Sequence, residues 1–182
     1  TEVFEASGPA PGSWMKVKMG ATKDGRITAA HVTLAYEAGA YPGSPVMAGT
    51  SCALSCYDLE NGRVEGFDVL VNKPKTSAYR APGSPQAAFA VESVIDEICE
   101  KLDLDPIEVR IKNAAKEGTR RVEGPVARKI GLIQCLEAAK SHDHYKKPVE
   151  GKSRGRGIAC GFWMNRGFQS SVTMTVQYDG TI

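Results

Sequence analysis

The stretch with the clearest chemical potential is the loop Tyr79–Gly83, which places an arginine, a proline and a glycine directly in front of a helical pattern. Ser84 is a good N-cap, and Pro85 suits the first helical position because an amide there would have no partner in any case. The free N–H groups of a first helical turn, together with the helix dipole, favour a ligand with anionic or oxo oxygens. The alternative is architectural: a plain helix cap, with Arg80 paired to a carboxylate.

The element that must position this loop is the helix that follows it, predicted over residues 85–102. Its apolar residues fall on one face, which is typical of a helix packed on a core; they are Val91, Val94, Ile95, Ile98 and Leu102. Two shorter helices are predicted over residues 106–115 and 132–142. Asp105 is expected to cap the first of these, with Glu108 reaching back to the Asp105 amide as in a capping box.

A β-hairpin is predicted near the start of the chain. Apolar and polar residues alternate over residues 14–21 and 26–36, on either side of a Lys-Asp-Gly turn at residues 23–25. The phase of the alternation slips by one residue near Ala30, which predicts a bulge in the second strand.

Three further segments alternate in the same way and are predicted to be strands: residues 63–71, 157–164 and 171–178. Residues 38–54 are rich in Gly, Pro and Ser, show no period, and are predicted to be loop or irregular coil. Strands therefore flank a helical middle. This order predicts an α+β fold, with an antiparallel β-hairpin and a mixed sheet, and not a doubly wound parallel sheet.

Composition excludes several classes of function. The 182 residues are 42% hydrophobic, enough for a packed core, and the net charge of +2 gives no field that would favour nucleic acid or an anionic membrane. No stretch reaches about 18 consecutive apolar residues, and no signal peptide is visible, so the chain is expected to be soluble and cytoplasmic. The five cysteines lack the spacing of a disulfide scaffold or a metal site, so no protein metal ligands are predicted.

Two long segments together resemble a known family. Residues 72–93 contain Asn-Lys-Pro and then Tyr-Arg-Ala-Pro-Gly-Ser-Pro-Gln, and residues 102–113 contain Leu-Asp-Leu-Asp-Pro-Ile-Glu-Val-Arg-Ile-Lys-Asn. Both are similar to the molybdopterin-binding subunit of the xanthine dehydrogenase and aldehyde oxidase family. Residues 2–4, 155–159 and 178–180 extend the resemblance over nearly the whole chain.

The resemblance implies part of a molybdenum-cofactor-dependent oxidoreductase, a hydroxylase or dehydrogenase of an aldehyde, an N-heteroaromatic compound or an aromatic acyl-thioester. It implies a molybdenum–pterin cofactor in this subunit, and iron–sulfur clusters and often FAD on partner domains or subunits. We expect residues 1–116 to hold the hairpin, the metal-side loop and the helix pair. Residues 117–182 are expected to hold a connection, a helix and the start of the next sheet.

The resemblance also implies which residues face the cofactor, namely those of the metal-side loop: Tyr79, Arg80, Ala81, Gly83 and Gln86. Purine-oxidising members carry an aromatic residue where this chain has Pro82, so a purine substrate is disfavoured. Carbon monoxide oxidisers carry a copper-binding cysteine where this chain has Ala81, so that chemistry is disfavoured as well. Pro82, Phe162 and Trp163, with Phe168, are the predicted substrate wall.

Two parts of the family's active site have no counterpart in this sequence, the Phe-Gly-Gly loop and the glutamate base. We therefore expect an internal fragment of the subunit that carries no catalytic residue and is inactive when isolated. The alternative is a non-catalytic assembly or interaction module that shares the scaffold. The sequence does not decide the substrate, the electron acceptor, the pterin nucleotide form or the oligomeric state.

Overall fold

The computed structural model describes residues 2, 7–164 and 169–182. Its elements, in chain order, are β1 (Ser13–Ala21), β2 (Ile27–Gly39), α1 (Val46–Ala53), β3 (Asn61–Leu70), α2 (Ser84–Leu102), α3 (Pro106–Asn113), α4 (Leu132–Ser141) and α5 (Asp143–Lys146). The mixture of one sheet with helices confirms the predicted α+β class. No helix in this described part is long and apolar enough to cross a membrane.

The sheet has three strands in the order β1-β2-β3. β1 and β2 form the predicted antiparallel hairpin, and β3 runs parallel to β2, so the sheet is mixed. The predicted bulge is present, but the register shifts beside the turn, where Ala21 pairs with Ile27 and Gly20 with Ala29. The extra residue is therefore Thr28, two positions before Ala30.

The core lies between one face of the sheet and the helices α1 and α2. Alternate residues of β2 are buried, and so is one stripe of α2, as the two periodicities require. The buried residues are Val32, Leu34, Tyr36 and Ala38 from β2, and Ala87, Val91, Ile95 and Cys99 from α2. The other predicted members of the helix face, Val94, Ile98 and Leu102, are partly buried.

The cap of α3 is formed as predicted on one side only. The Asp105 carboxylate accepts hydrogen bonds from the amides of Ile107 at 2.8 Å and Glu108 at 3.0 Å. Glu108 does not reach back to the Asp105 amide; its carboxylate pairs with Lys140 of α4. The capping box is therefore half formed, and its second residue ties α3 to α4.

Two predictions about secondary structure are wrong. Residues 38–54 are not all coil, because Val46–Ala53 form the helix α1, which buries Val46, Gly49, Cys52 and Ala53. Residues 157–164 and 171–178 are not strands. A strand requires a hydrogen-bonding partner strand, and within the described residues neither segment has one. The apolar residues of the second segment, such as Val172 and Met174, are exposed instead.

The burial of the cysteines makes a prediction about their reactivity. Cys52, Cys56, Cys99 and Cys160 are buried and Cys135 is exposed. Burial raises the pKa of each of the four buried thiols, which lowers the fraction of reactive thiolate. We expect iodoacetamide to label Cys135 alone in the native chain and all five cysteines in guanidinium chloride, as read by mass spectrometry. Cys135→Ser should abolish native labelling; prompt labelling of a buried cysteine would contradict the packing described here.

Candidate cofactor-binding loop

The metal-side loop, Tyr79–Gln86, is held by the end of β2 at two points. Before the loop, the Thr76 amide donates to the Ala38 carbonyl at 3.0 Å. Within the loop, the buried hydroxyl of Tyr36 donates to the Gly83 carbonyl at 2.9 Å. Burial raises the pKa of Tyr36, so the hydroxyl stays protonated and remains a donor. The central strand therefore fixes the position of the loop.

The loop borders a concavity at one end of the sheet. β2 and β3 are parallel, and the loop lies at the end of the sheet that contains the carboxyl ends of these two strands. A concavity of about 190 Å³ opens there. Its lining comes from the loop and from the residues that precede β1: Ala10, Pro11, Tyr79, Arg80, Pro82, Gly83, Pro85 and Gln86. The loop is thus not sealed under the chain's own side chains.

Gly83, and not Ser84, is the N-cap of α2. Gly83 has φ +84°, and a Cβ at this position would lie 2.3 Å from the carbonyl oxygen of Pro45. Only glycine fits this left-handed, tightly packed position. The prediction that Ser84 caps the helix is wrong, because the Ser84 hydroxyl donates to the Phe162 carbonyl at 2.7 Å instead.

Several backbone amides of the loop have no partner. The Ser84 N–H donates to the Ala81 carbonyl, and Pro85 has no N–H. Among the described residues, five other N–H groups in and beside the loop donate no hydrogen bond; they are those of Tyr79, Arg80, Ala81, Gly83 and Gln86. Gly83 is buried, where an unpaired donor is costly unless a ligand accepts from it. These donors suit an oxygen-rich ligand.

Ala81 has φ +54°, a left-handed conformation that a non-glycine residue adopts at a cost. Backbone strain of this kind concentrates at functional sites. The side chain of Tyr79 is 77% exposed. Arg80 is exposed too, and it forms no ion pair with a carboxylate within the described residues. The carboxylate partner that the architectural alternative assigns to Arg80 is therefore absent from the described residues.

The predicted substrate-wall residues are divided between two concavities. Pro82 lines the one at the loop. Phe162 and Trp163 line a separate cavity of about 630 Å³, which shares no residue with the first. The hydrogen bond from Ser84 to the Phe162 backbone joins the two regions. Phe168, and most of the family-like stretch at residues 2–4, lie outside the described residues.

Sequence reasoning missed a buried ionic network behind α2. The Arg110 side chain is fully buried, and its guanidinium lies 2.8 Å from Glu92 and 2.8 Å from Asp96. Glu92 also accepts hydrogen bonds from the Tyr57 hydroxyl and, at 2.8 Å, from the Cys160 amide. The signal in the sequence was a glutamate directly beside Val91 on the apolar stripe of α2.

Burial is the largest single influence on the pKa of Arg110 and lowers it, but the attraction of Glu92 and the hydrogen bonds to Glu92 and Asp96 together outweigh burial and raise the pKa of the guanidinium. Arg110 therefore remains charged in the core. The network joins α2, α3 and the segment that carries Phe162, and so keeps the start of α2 in place behind the loop. No group of three or more His, Cys, Asp or Glu in the described part of the chain is arranged to hold a metal ion.

Comparison with known proteins decides the family. The profile of the molybdopterin cofactor-binding domain matches residues 1–114. The chain belongs to the molybdopterin cofactor-binding domain family. This match spans the sheet, α1, α2, α3 and the loop Tyr79–Gln86, and it confirms the resemblance found in the sequence.

Individual relatives agree with the family. The large molybdopterin subunit of nicotinate dehydrogenase from Eubacterium barkeri is 36% identical over 130 residues, covering 69% of this chain and 31% of the relative. The aldehyde oxidoreductase of Megalodesulfovibrio gigas is 29% identical, covering 82% of this chain and 17% of the relative. The chain therefore spans less than a third of the length of each of these two relatives.

Solved structures show the same fold. The aldehyde oxidoreductase from Desulfovibrio gigas superimposes with a TM-score of 0.71 and 28% identity, over 76% of this chain and 16% of that one. Quinoline 2-oxidoreductase from Pseudomonas putida superimposes with a TM-score of 0.67 and 23% identity, over 72% of this chain and 18% of that one. The second match supports the fold alone.

Proposed function

We propose that this molybdopterin-binding domain is part of a molybdenum–pterin oxidoreductase and presents the loop Tyr79–Gln86 to the cofactor. One observation carries the proposal: within the described part of the chain, five backbone amides without a hydrogen-bond partner lie in a loop that β2 holds in place through Tyr36 and Ala38. The residues present fit the group, because N–H donors in a helix-start loop match oxygen acceptors. When bound, the cofactor would supply the two-electron oxidation of the substrate.

The roles of this chain's own residues follow from their positions. The backbone N–H groups of Tyr79, Arg80, Ala81, Gly83 and Gln86 would donate hydrogen bonds to oxygen atoms of the cofactor. The unpaired guanidinium of Arg80 adds positive charge at the same concavity, which favours an anionic or electron-rich group. Tyr36 keeps the loop in one conformation, so little reorganisation is needed when the ligand arrives.

The substrate class we propose is an aldehyde, an N-heteroaromatic compound or an aromatic acyl-thioester, with Pro82, Phe162 and Trp163 as wall residues. The names of the relatives that act on nicotinate and aldehydes support this range. We propose that the proton-abstracting base, the iron–sulfur clusters and a flavin lie on other parts of a cytoplasmic enzyme. The chain spans only 16–31% of the length of the similar proteins, so the base, the clusters and the flavin can lie on other segments or subunits.

Molybdenum analysis tests this proposal in two arms. The complete subunit is expected to carry stoichiometric molybdenum and pterin, whereas the isolated 182-residue chain should retain little metal and show no aldehyde oxidation. The reason is that a group buried between lobes needs all of its walls. A complete subunit without molybdenum would contradict the proposed function, and stoichiometric molybdenum on the isolated chain would contradict the requirement for other lobes.

A further inference from the structure

The largest cavity among those described here lies away from the metal-side loop, beside the segment that contains Phe162. Its volume of about 630 Å³ is within the roughly 300–1,000 Å³ typical of small-molecule sites. Most of its lining is apolar or aromatic: Pro125, Val126, Ala127, Ile130, Leu132, Phe162, Trp163 and Met164. Such walls suit a ligand with an apolar body.

The charged residues of this cavity are all of one sign. Arg121, Arg128 and Lys129 line it, and no carboxylate belongs to its lining, although Glu123, outside the lining, lies 3.0 Å from Arg121 Nε. Low-dielectric walls with charges of one sign concentrate the opposite charge in a cleft. The cavity therefore favours an anion.

Arg121 is held in place while most of its donors remain free. Its guanidinium lies over the Phe162 ring, 5.1 Å from the centroid, and this cation–π contact restrains the guanidinium. Nε lies 3.0 Å from Glu123 but is not aligned for a hydrogen bond. Within the described residues, the terminal N–H groups donate no hydrogen bond, although the side chain is only 19% exposed. A half-buried, oriented guanidinium with free N–H groups is suited to bind a carboxylate in a bidentate manner.

We propose that this cavity binds an aromatic carboxylate. The carboxylate pairs with Arg121, and the aromatic body lies against Trp163 and the apolar wall. Arg128 and Lys129 attract the anion but are exposed, so they contribute less than Arg121. The inference rests on the proposed function only in treating Phe162 and Trp163 as substrate-facing residues.

A binding assay tests the proposal without any cofactor, so its failure would leave the molybdopterin assignment intact. The chain has two tryptophans, and Trp14→Phe leaves Trp163 as the single fluorescent reporter in the cavity. The probe is 4-phenylbutyrate, and its neutral isostere 4-phenylbutanamide is the matched ligand. Because the amide cannot form a charge-assisted pair, we expect it to bind at least about tenfold more weakly.

Two arginine variants in the same background locate the anion. Arg121→Gln is expected to weaken 4-phenylbutyrate binding by about tenfold or more, whereas Arg120→Gln, next to it but outside the lining, should change binding by less than about twofold. Circular dichroism shows whether Arg121→Gln is folded. If it is not, Lys129→Gln replaces it, with an expected loss of about two- to threefold.

Three results would overturn the proposal. They are no response of Trp163 to 4-phenylbutyrate, equal affinity for the acid and the amide, and equal losses in Arg120→Gln and the lining variant. The expected pattern, in which the acid is preferred and only lining cations matter, supports it.

Discussion

Glu92→Ala is expected to lower the free energy of unfolding by about 3–5 kcal/mol, because it leaves a buried guanidinium without its main counter-charge. Arg110 is fully buried, and after the substitution it would retain the half-exposed Asp96 as a counter-charge and a hydrogen bond to the Pro106 carbonyl at 3.2 Å. The Tyr57 hydroxyl and the Cys160 amide would lose their acceptor as well. Urea denaturation followed by circular dichroism measures the loss.

Glu97→Ala is the matched control for this experiment. Glu97 lies on the same helix, is exposed, and pairs with Lys101 only at 3.8 Å. Exposed pairs of this kind contribute less than about 1 kcal/mol, so the control should be close to the unsubstituted chain. Comparable losses in the two variants would show that the buried network does not stabilise α2.

Gly83→Ala is expected to cost about 2–4 kcal/mol of stability, combining a left-handed conformation for a non-glycine residue with overpacking. The added Cβ would lie 2.3 Å from the Pro45 carbonyl oxygen and 3.0 Å from the Gly49 amide nitrogen, both backbone atoms of or beside α1. The loop must therefore shift away from α1. In the complete subunit, the same substitution should lower molybdenum content.

Gly118→Ala separates the conformational cost of an alanine at positive φ from the cost of overpacking against α1. Gly118 also has a positive φ, +88°, but nothing lies within 4 Å of a Cβ placed there. Its substitution should cost only the conformational part, about 1 kcal/mol, and should leave molybdenum content unchanged. Equal effects at the two glycines would mean that the contact with α1 does not position the loop.

Tyr36→Phe tests the other restraint on Gly83, its hydrogen bond to β2. It removes the hydroxyl that donates to the Gly83 carbonyl at 2.9 Å. The Gly83 carbonyl would keep the hydrogen bond from the Ala87 amide at 3.3 Å, so the loss of stability should be about 1 kcal/mol, the net contribution of one hydrogen bond. We expect molybdenum content to fall in this variant also, without any steric clash.

Local patterns in the sequence were sufficient for the hairpin and for α2, α3 and α4. Their periodicity, together with Asp105 as a cap, is contained within each element. The helix α1 was missed because its Gly, Thr, Ser and Cys residues have low helix propensity, and it is stabilised by burial against the sheet and α2. Tertiary packing, which no local pattern records, decides that segment.

After residue 156, the sequence pattern predicted strands that the structure does not contain in the part of the chain that it describes. Residues 171–178 alternate as a strand does, but a strand is defined by its partner. Within the described residues the segment has none, and Val176 is 67% exposed. A turn does form at the end of this segment, where the Gln177 amide donates to the Thr181 carbonyl at 2.8 Å.

The sequence was sufficient to locate the candidate site, but not to predict the long-range contacts that hold it in place. The pattern of residues 79–86 identified the loop, and the family match includes it. The clamp by Tyr36 joins residues 47 positions apart, and the pairing of Glu92 with Arg110 joins residues 18 apart. No local pattern identifies either pairing, although Glu92 on the apolar face of α2 marks one of the partners. The role of the loop residues toward the cofactor stays a prediction.

A structure of the complete molybdopterin subunit with its cofactor bound tests the central claim most directly. We predict that oxygen atoms of the cofactor lie within hydrogen-bonding distance, about 3.2 Å or less, of backbone amides in Tyr79–Gln86. This prediction would be contradicted by a cofactor bound elsewhere, with those amides covered by protein groups from another lobe.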